Sequence, residues 1–103
     1  MTMLTTHATE THAILGIVAQ ELQVSEDDLL KQGVCALLER QLREVRARIF
    51  EITGRYGVSS VDEMETRYRE GTLEEADSWR DLQRLDHLEY KRDRLLQLIK
   101  ALA

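Results

Sequence analysis

Apolar side chains recur along this chain at helical spacing, and nowhere do they alternate as a half-buried strand requires. Ile14, Ile17, Val18 and Leu22 form the first such stripe. It predicts a short helix from about Glu10 to near Gln23, with Thr9 or Thr11 as its N-cap. Ahead of it, residues 1–9 hold four threonines and read as a flexible tail. Ser25 then offers a hydroxyl to first-turn amides, while Glu26, Asp27 and Asp28 set negative charge against the positive end of a helix dipole. A second helix therefore starts at Ser25. Gly33 and Gly54 weaken it by roughly 1 kcal/mol each without ending it, and Gly57 supplies the left-handed residue that closes it. Along this helix Leu38, Leu42, Val45, Ile49, Ile52 and Tyr56 alternate steps of four and three, the seam of a helix that winds around a partner.

Two capping boxes follow. Ser60 with Glu63 opens a short helix carrying Val61, Met64 and Tyr68, closed by Gly71. Thr72 with Glu75 opens a last helix that runs to the C-terminus. Leu85, Leu88, Arg92, Leu95, Ile99 and Leu102 repeat the heptad steps there, with Arg92 as the single polar intruder. Two helices of roughly 30 residues, each about 45 Å long and joined by a compact connector, predict a long antiparallel hairpin. The expected fold is all-α: a flexible tail over 1–9, then one helical domain over 10–103. In that domain a short N-terminal helix precedes a coiled-coil-like hairpin with a short connecting helix. The hairpin leaves Leu29, Leu30, Val34, Leu37, Trp79, Leu82 and Leu96 to be covered. The first helix covers some of them, and a second copy of the chain, in a homodimer or higher oligomer forming a bundle, would cover the rest.

Composition agrees with long helices. The chain has 103 residues, no proline and only five glycines, so little interrupts a helix. At this length one domain buries a limited core, which again points to oligomerisation. Its single cysteine excludes an internal disulfide and suits a reducing cytoplasm. No apolar run is long enough for a membrane span, and the polar N-terminus has no signal-peptide pattern. A net charge of −5 argues against a general nucleic-acid binder.

Candidate chemistry is sparse. Residues 40–55 hold five arginines against two acids. They read either as a phosphate-tracking patch or, since Glu39–Arg43, Arg40–Glu44, Glu44–Arg48 and Glu51–Arg55 are spaced i,i+4, as solvated ion pairs; the second reading is favoured. Arg92 on the seam either pairs with Glu39, fixing register, or lays its stem along the seam and carries its head outward. His7, His12 and His87, with Glu74, Glu75, Asp77, Asp81 and Asp86, invite a metal. The Glu-x-x-His step of helical di-iron proteins is missing, however, because residue 84 is arginine. No metal or cofactor is expected. Cys35 reads as a small buried hydrophobe, and Ser59 and Ser60 as caps rather than nucleophiles, so no catalytic residue is assigned. Trp79 either packs on the first or the short helix or serves, with Tyr90 and Leu96, as an exposed anchor for a partner protein.

One stretch of this grammar has a counterpart. The segment from Val18-Ala19-Gln20-Glu21-Leu22-Gln23-Val24-Ser25 through Glu26-Asp27-Asp28-Leu29-Leu30 to Ala36-Leu37-Leu38-Glu39-Arg40 resembles the helical half of ribbon-helix-helix antitoxins. Ile52 to Ser60, Asp77-Ser78-Trp79 and Leu85 to Asp93 resemble the helical-hairpin tail of small prokaryotic proteins of toxin–antitoxin pairs. The likeness covers about residues 18–100. Ribbon-helix-helix proteins read DNA with a basic or polar strand, whereas Thr5 to His12 contains no lysine or arginine. The resemblance therefore implies a non-enzymatic, dimeric helical protein that binds and masks a partner toxin. The alternatives are a regulator that binds DNA through Lys31 or the arginines of 40–55, and a small helical-bundle enzyme.

Overall fold

The structure, a computed structural model, describes the backbone of residues 2–73 and 77–103, with side chains from residue 10 onward. Its elements are α1 (Thr2–Leu22), α2 (Glu26–Tyr56), α3 (Val61–Arg69) and α4 (Ser78–Leu102). No strand occurs among the described residues, and the all-α architecture is as expected. The chain divides into two compact units, Met1–Leu37 and Leu38–Ala103, where the sequence pattern pointed to one domain.

The first unit joins α1 to the start of α2 through a tight turn. Its first helix begins at Thr2 rather than near Glu10, so Thr9 and Thr11 lie inside α1 and not at its start. The side chains of 1–9 fall outside the described residues, and with them His7. The helix ends as expected, by a Schellman turn: the Val24 amide donates to the Ala19 carbonyl (3.0 Å) and the Gln23 amide to that of Gln20 (3.2 Å). Gln23 occupies the left-handed position at φ 57°, where glycine is the usual choice. Ser25 then caps α2 as its spacing foretold, its Oγ accepting from the Asp28 amide at 3.0 Å. Ala19 is the one buried apolar residue among those described in this unit.

The second unit holds the core. Leu42, Val45, Ile52 and Tyr56 of α2 pack with Leu82, Leu85, Leu88 and Leu95 of α4, and Met64 of α3 and Val58 seal the end. Leu38, Ile49 and Ile99 border the same cluster. The predicted seam thus forms the interior, and Leu102 lies half-buried at its far end. Arg55 and Tyr56 at the end of α2 meet Asp81 at the start of α4, which makes the pair antiparallel.

Glycine punctuates both breaks in this unit. Gly57 (φ 63°) and Gly71 (φ 71°) are the left-handed residues after α2 and α3, and the following amides close Schellman turns, Val58 to the Thr53 carbonyl and Thr72 to that of Arg67. The capping box of α3 forms in altered register. Ser60 Oγ accepts from the Glu63 amide (3.2 Å), whereas the Glu63 carboxylate accepts from the amide (2.8 Å) and hydroxyl (2.6 Å) of Ser59. These two bonds, and then the Arg67 guanidinium, hold the Glu63 carboxyl below its usual range. The box expected at Thr72 does not open the last helix. Thr72 donates its hydroxyl to the Arg67 carbonyl, finishing α3, and α4 starts later, at Ser78 after Asp77. Glu75, the other half of that box, lies outside the described residues, as does Glu74.

Candidate functional site

Two places in the second unit carry exposed or buried groups that ordinary helix packing does not require. The first is a polar knot at Asp81. Its side chain is only 6% exposed, a position that a carboxylate takes up only with compensating donors. Tyr56 donates its hydroxyl to Asp81 Oδ2 at 2.5 Å, and the Arg55 guanidinium donates to the same oxygen at 2.8 Å. Arg84 stands 3.7 Å from Oδ1, one turn further along α4. The carboxylate beside it raises the Arg55 pKa, keeping that guanidinium charged. Outside the knot, Arg48, Glu51, Ile52, Arg55 and Arg84 line a shallow cleft of about 270 Å³. Sequence reasoning gave Asp81 only as one acid of a stretch that invites a metal and did not find its burial. The available signal was its i,i+4 spacing to Leu85 on the seam, which puts it on the inner face.

The second place is aromatic. Trp79, 50% exposed at the start of α4, lies against Tyr68 of α3, with ring centroids 5.3 Å apart and planes inclined at 43°. Of the sequence alternatives, Trp79 therefore packs on the short helix and keeps half its surface in solvent. Trp79 also lines a cleft of about 220 Å³ with Val61, Leu82 and Gln83, and Glu65 and Asp86 supply two carboxylates at its edge. Beneath it, Glu89 reaches from α4 to accept the Val61 amide at 2.8 Å. This bond satisfies a free first-turn donor and ties α3 to α4.

The remaining sequence candidates are dispersed. Arg92 pairs with its neighbour Asp93 at 3.0 Å and not, within the chain, with Glu39, which is exposed. Arg92 is half-buried. Among the described residues, none of the four i,i+4 pairs expected on α2 forms. The helical ion pairs at this spacing are Arg67–Glu63 and Arg69–Glu65 on α3. Tyr90 is 70% exposed and Leu96 39%, both apart from any cleft just described. His12 and His87 are exposed, and no group of three or more possible metal ligands occurs among the described residues. Cys35 is free and half-buried.

A third feature belongs to the first unit alone. Leu15 and Val18 of α1 and Leu29, Leu30, Gly33, Val34 and Leu37 of α2 line an apolar groove of about 340 Å³. These observations give a helical protein with exposed apolar surface in each unit, and comparison with known proteins places it. A family model matches residues 3–103. The chain belongs to the uncharacterized protein MJ0235 family. No curated protein and no solved structure matches it. The match takes in both compact units, so the groove and the Trp79 cleft both lie within the region that defines the MJ0235 family. Among the described residues of this family member, no helix is long and apolar enough to cross a membrane.

Proposed function

We propose that this MJ0235-family protein is a non-enzymatic interaction protein that binds a basic protein partner at the Trp79 cleft. The observation that carries this reading is the half-exposed Trp79–Tyr68 pair beside the carboxylates of Glu65 and Asp86. An indole ring held in place by a second ring offers a large, rigid contact at low entropic cost, as anchors of protein interfaces do. A lysine or arginine of the partner would lay its stem and charge on the indole and direct its head to the carboxylate of Asp86, since Glu65 is already paired with Arg69. The net charge of −5 steers such a partner. The antitoxin resemblance supports the narrower reading that the partner is a toxin encoded beside it and masked in a cytoplasmic complex.

The test is co-expression with the product of the adjacent reading frame, followed by gel filtration. A stable complex is expected from the intact chain, and Trp79→Ala weakens it by at least tenfold, since truncating a central aromatic anchor costs roughly 2 kcal/mol or more. No complex, or one indifferent to Trp79→Ala, removes the reading. A DNA-binding reading draws on one observation, the three arginines Arg48, Arg55 and Arg84 around a single cleft. A gel shift on the gene's own upstream DNA at low salt tests it, because phosphate contacts strengthen steeply as salt falls.

A further inference from the structure

We propose that the apolar groove of the first unit is the seat of a second copy of this chain, whose α2 lies antiparallel across the first copy's α2. Three observations lead to this. Leu30, Val34 and Leu37 repeat at i, i+4 and i+7 along α2 and remain 47%, 45% and 48% exposed. Ile14 and Leu22, each 59% exposed, lie one turn to either side of Val18 on α1 and extend the same face. These side chains and Val18 offer on the order of 500 Å² of apolar surface per copy, as large as the biggest patch that a monomer usually shows. Two such faces fully joined remove about 1,000 Å², the least that a biological interface buries.

Among its described residues the unit also has little to hold it together. A helical unit of fewer than about 40 residues usually needs a disulfide, a metal or a partner chain. Met1–Leu37 contains one cysteine, which cannot bridge within the chain, and Ala19 is its single buried apolar residue among those described.

Charge and shape then select a second copy and an orientation. Glu26 begins α2, and Arg40 follows one turn beyond Val34 and Leu37 on the same helix. Among the described residues neither has an ion-pair partner within the chain. Glu26 and Arg40 are equally far from Gly33 along the helix and share its side. Antiparallel pairing centred there sets Glu26 of each copy opposite Arg40 of the other, twice over by symmetry, and Leu37 opposite Leu29 of the second copy. At the centre, a Cβ added to Gly33 would meet nothing within 4 Å. No atom of the described residues fills that space, and a second helix can approach the backbone there. A parallel pairing would oppose Glu26 to Glu26 and Arg40 to Arg40.

Sedimentation of the full chain tests the proposal. Dimer is expected at micromolar concentration, and Val34→Glu is expected to raise the dissociation constant by roughly 100-fold or more, as for a charge buried at an interface centre. Glu26→Arg alone and Arg40→Glu alone each weaken the dimer by about tenfold, and the double exchange restores it. Circular dichroism of each variant shows whether the helices persist; if Val34→Glu does not fold, the charge exchange decides. A monomer at about 100 µM, a dimer unmoved by Val34→Glu, or a double exchange that restores nothing overturns the proposal. Because the face is separate from the Trp79 cleft, Trp79→Ala leaves the dimer intact, so this inference and the partner reading fail independently.

Discussion

Asp81 is the residue at which packing and electrostatics are most tightly joined. It is buried, and one oxygen accepts from both Tyr56 and Arg55. The two donors differ in environment: Tyr56 is 8% exposed, whereas the Arg55 side chain is 49% exposed and can exchange its bond for water. Removing the tyrosine hydroxyl strips a buried carboxylate of a donor that water cannot easily replace. We expect Tyr56→Phe to destabilise the chain by about 1.5–3 kcal/mol, the scale of hydrogen bonds to charged groups. Arg55→Ala, at a solvated position, should cost less than Tyr56→Phe. Urea denaturation followed by circular dichroism checks both, and an Arg55→Ala loss equal to or larger than that of Tyr56→Phe would reverse the assignment. Nothing local in the sequence marks Tyr56 and Asp81 as partners. Each sits at an ordinary seam or seam-adjacent position, and only the antiparallel fold brings together residues 25 apart in the chain.

At the scale of elements, the heptad steps and caps were readable, and the starts of helices less so. The seam positions of α2 and α4 were legible because a four-three alternation has one physical outcome, a buried stripe, and the structure buries it. Ser25, Gly57 and Gly71 were legible because capping is local. The start of α4 was not, since Thr72 can cap a following helix or close a preceding one, and its bond to the Arg67 carbonyl takes the second course. Similarly, Glu89 serves α3 from another helix, a long-range service that no spacing rule contains. The Glu63 cap yields a prediction about pH. Its carboxyl is held below the usual range by Ser59 and Arg67, so the folded state binds its proton more weakly than the unfolded chain does. The resulting stability is fully present above the ordinary glutamate value of about 4.3 and is lost as pH falls through the lower folded value. Glu63→Gln removes this contribution. Its melting temperature should lie below that of the parent at neutral pH, and the gap should narrow as the pH falls below the ordinary glutamate range. A gap that is the same at neutral and at acid pH would assign the cap's effect to geometry and not to charge.

For the molecule as a whole, the contrast between the two units bears most on function. Leu38–Ala103 carries a continuous cluster in which Met64 and Leu85 are fully enclosed, and three helices contribute to it. Met1–Leu37 presents Ile17 at 67% exposure and leaves Leu30, Val34 and Leu37 near half. Sequence periodicity could not reveal this difference. The stripe on the first half of α2 has the same helical spacing as the seam on the second half, and a repeat states that a face is apolar without stating what covers it. Burial per residue decides which unit is autonomous. A fragment spanning 38–103 is long enough to fold alone on its own core, as many domains of about 60 residues do, although it begins inside α2. A fragment spanning 1–37 buries only Ala19 among its described residues and falls below the length at which isolated small helical units persist. We therefore expect the 38–103 fragment to retain strong helical dichroism and a single cooperative thermal transition. The 1–37 fragment should be largely unfolded when dilute and gain helix as its concentration rises, because association is its only source of burial. Helicity measured across a hundredfold concentration range distinguishes the cases. Concentration-independent helix in 1–37 would show that this unit holds itself together without association, and a broad non-cooperative melt of 38–103 would show that its core needs residues outside the fragment.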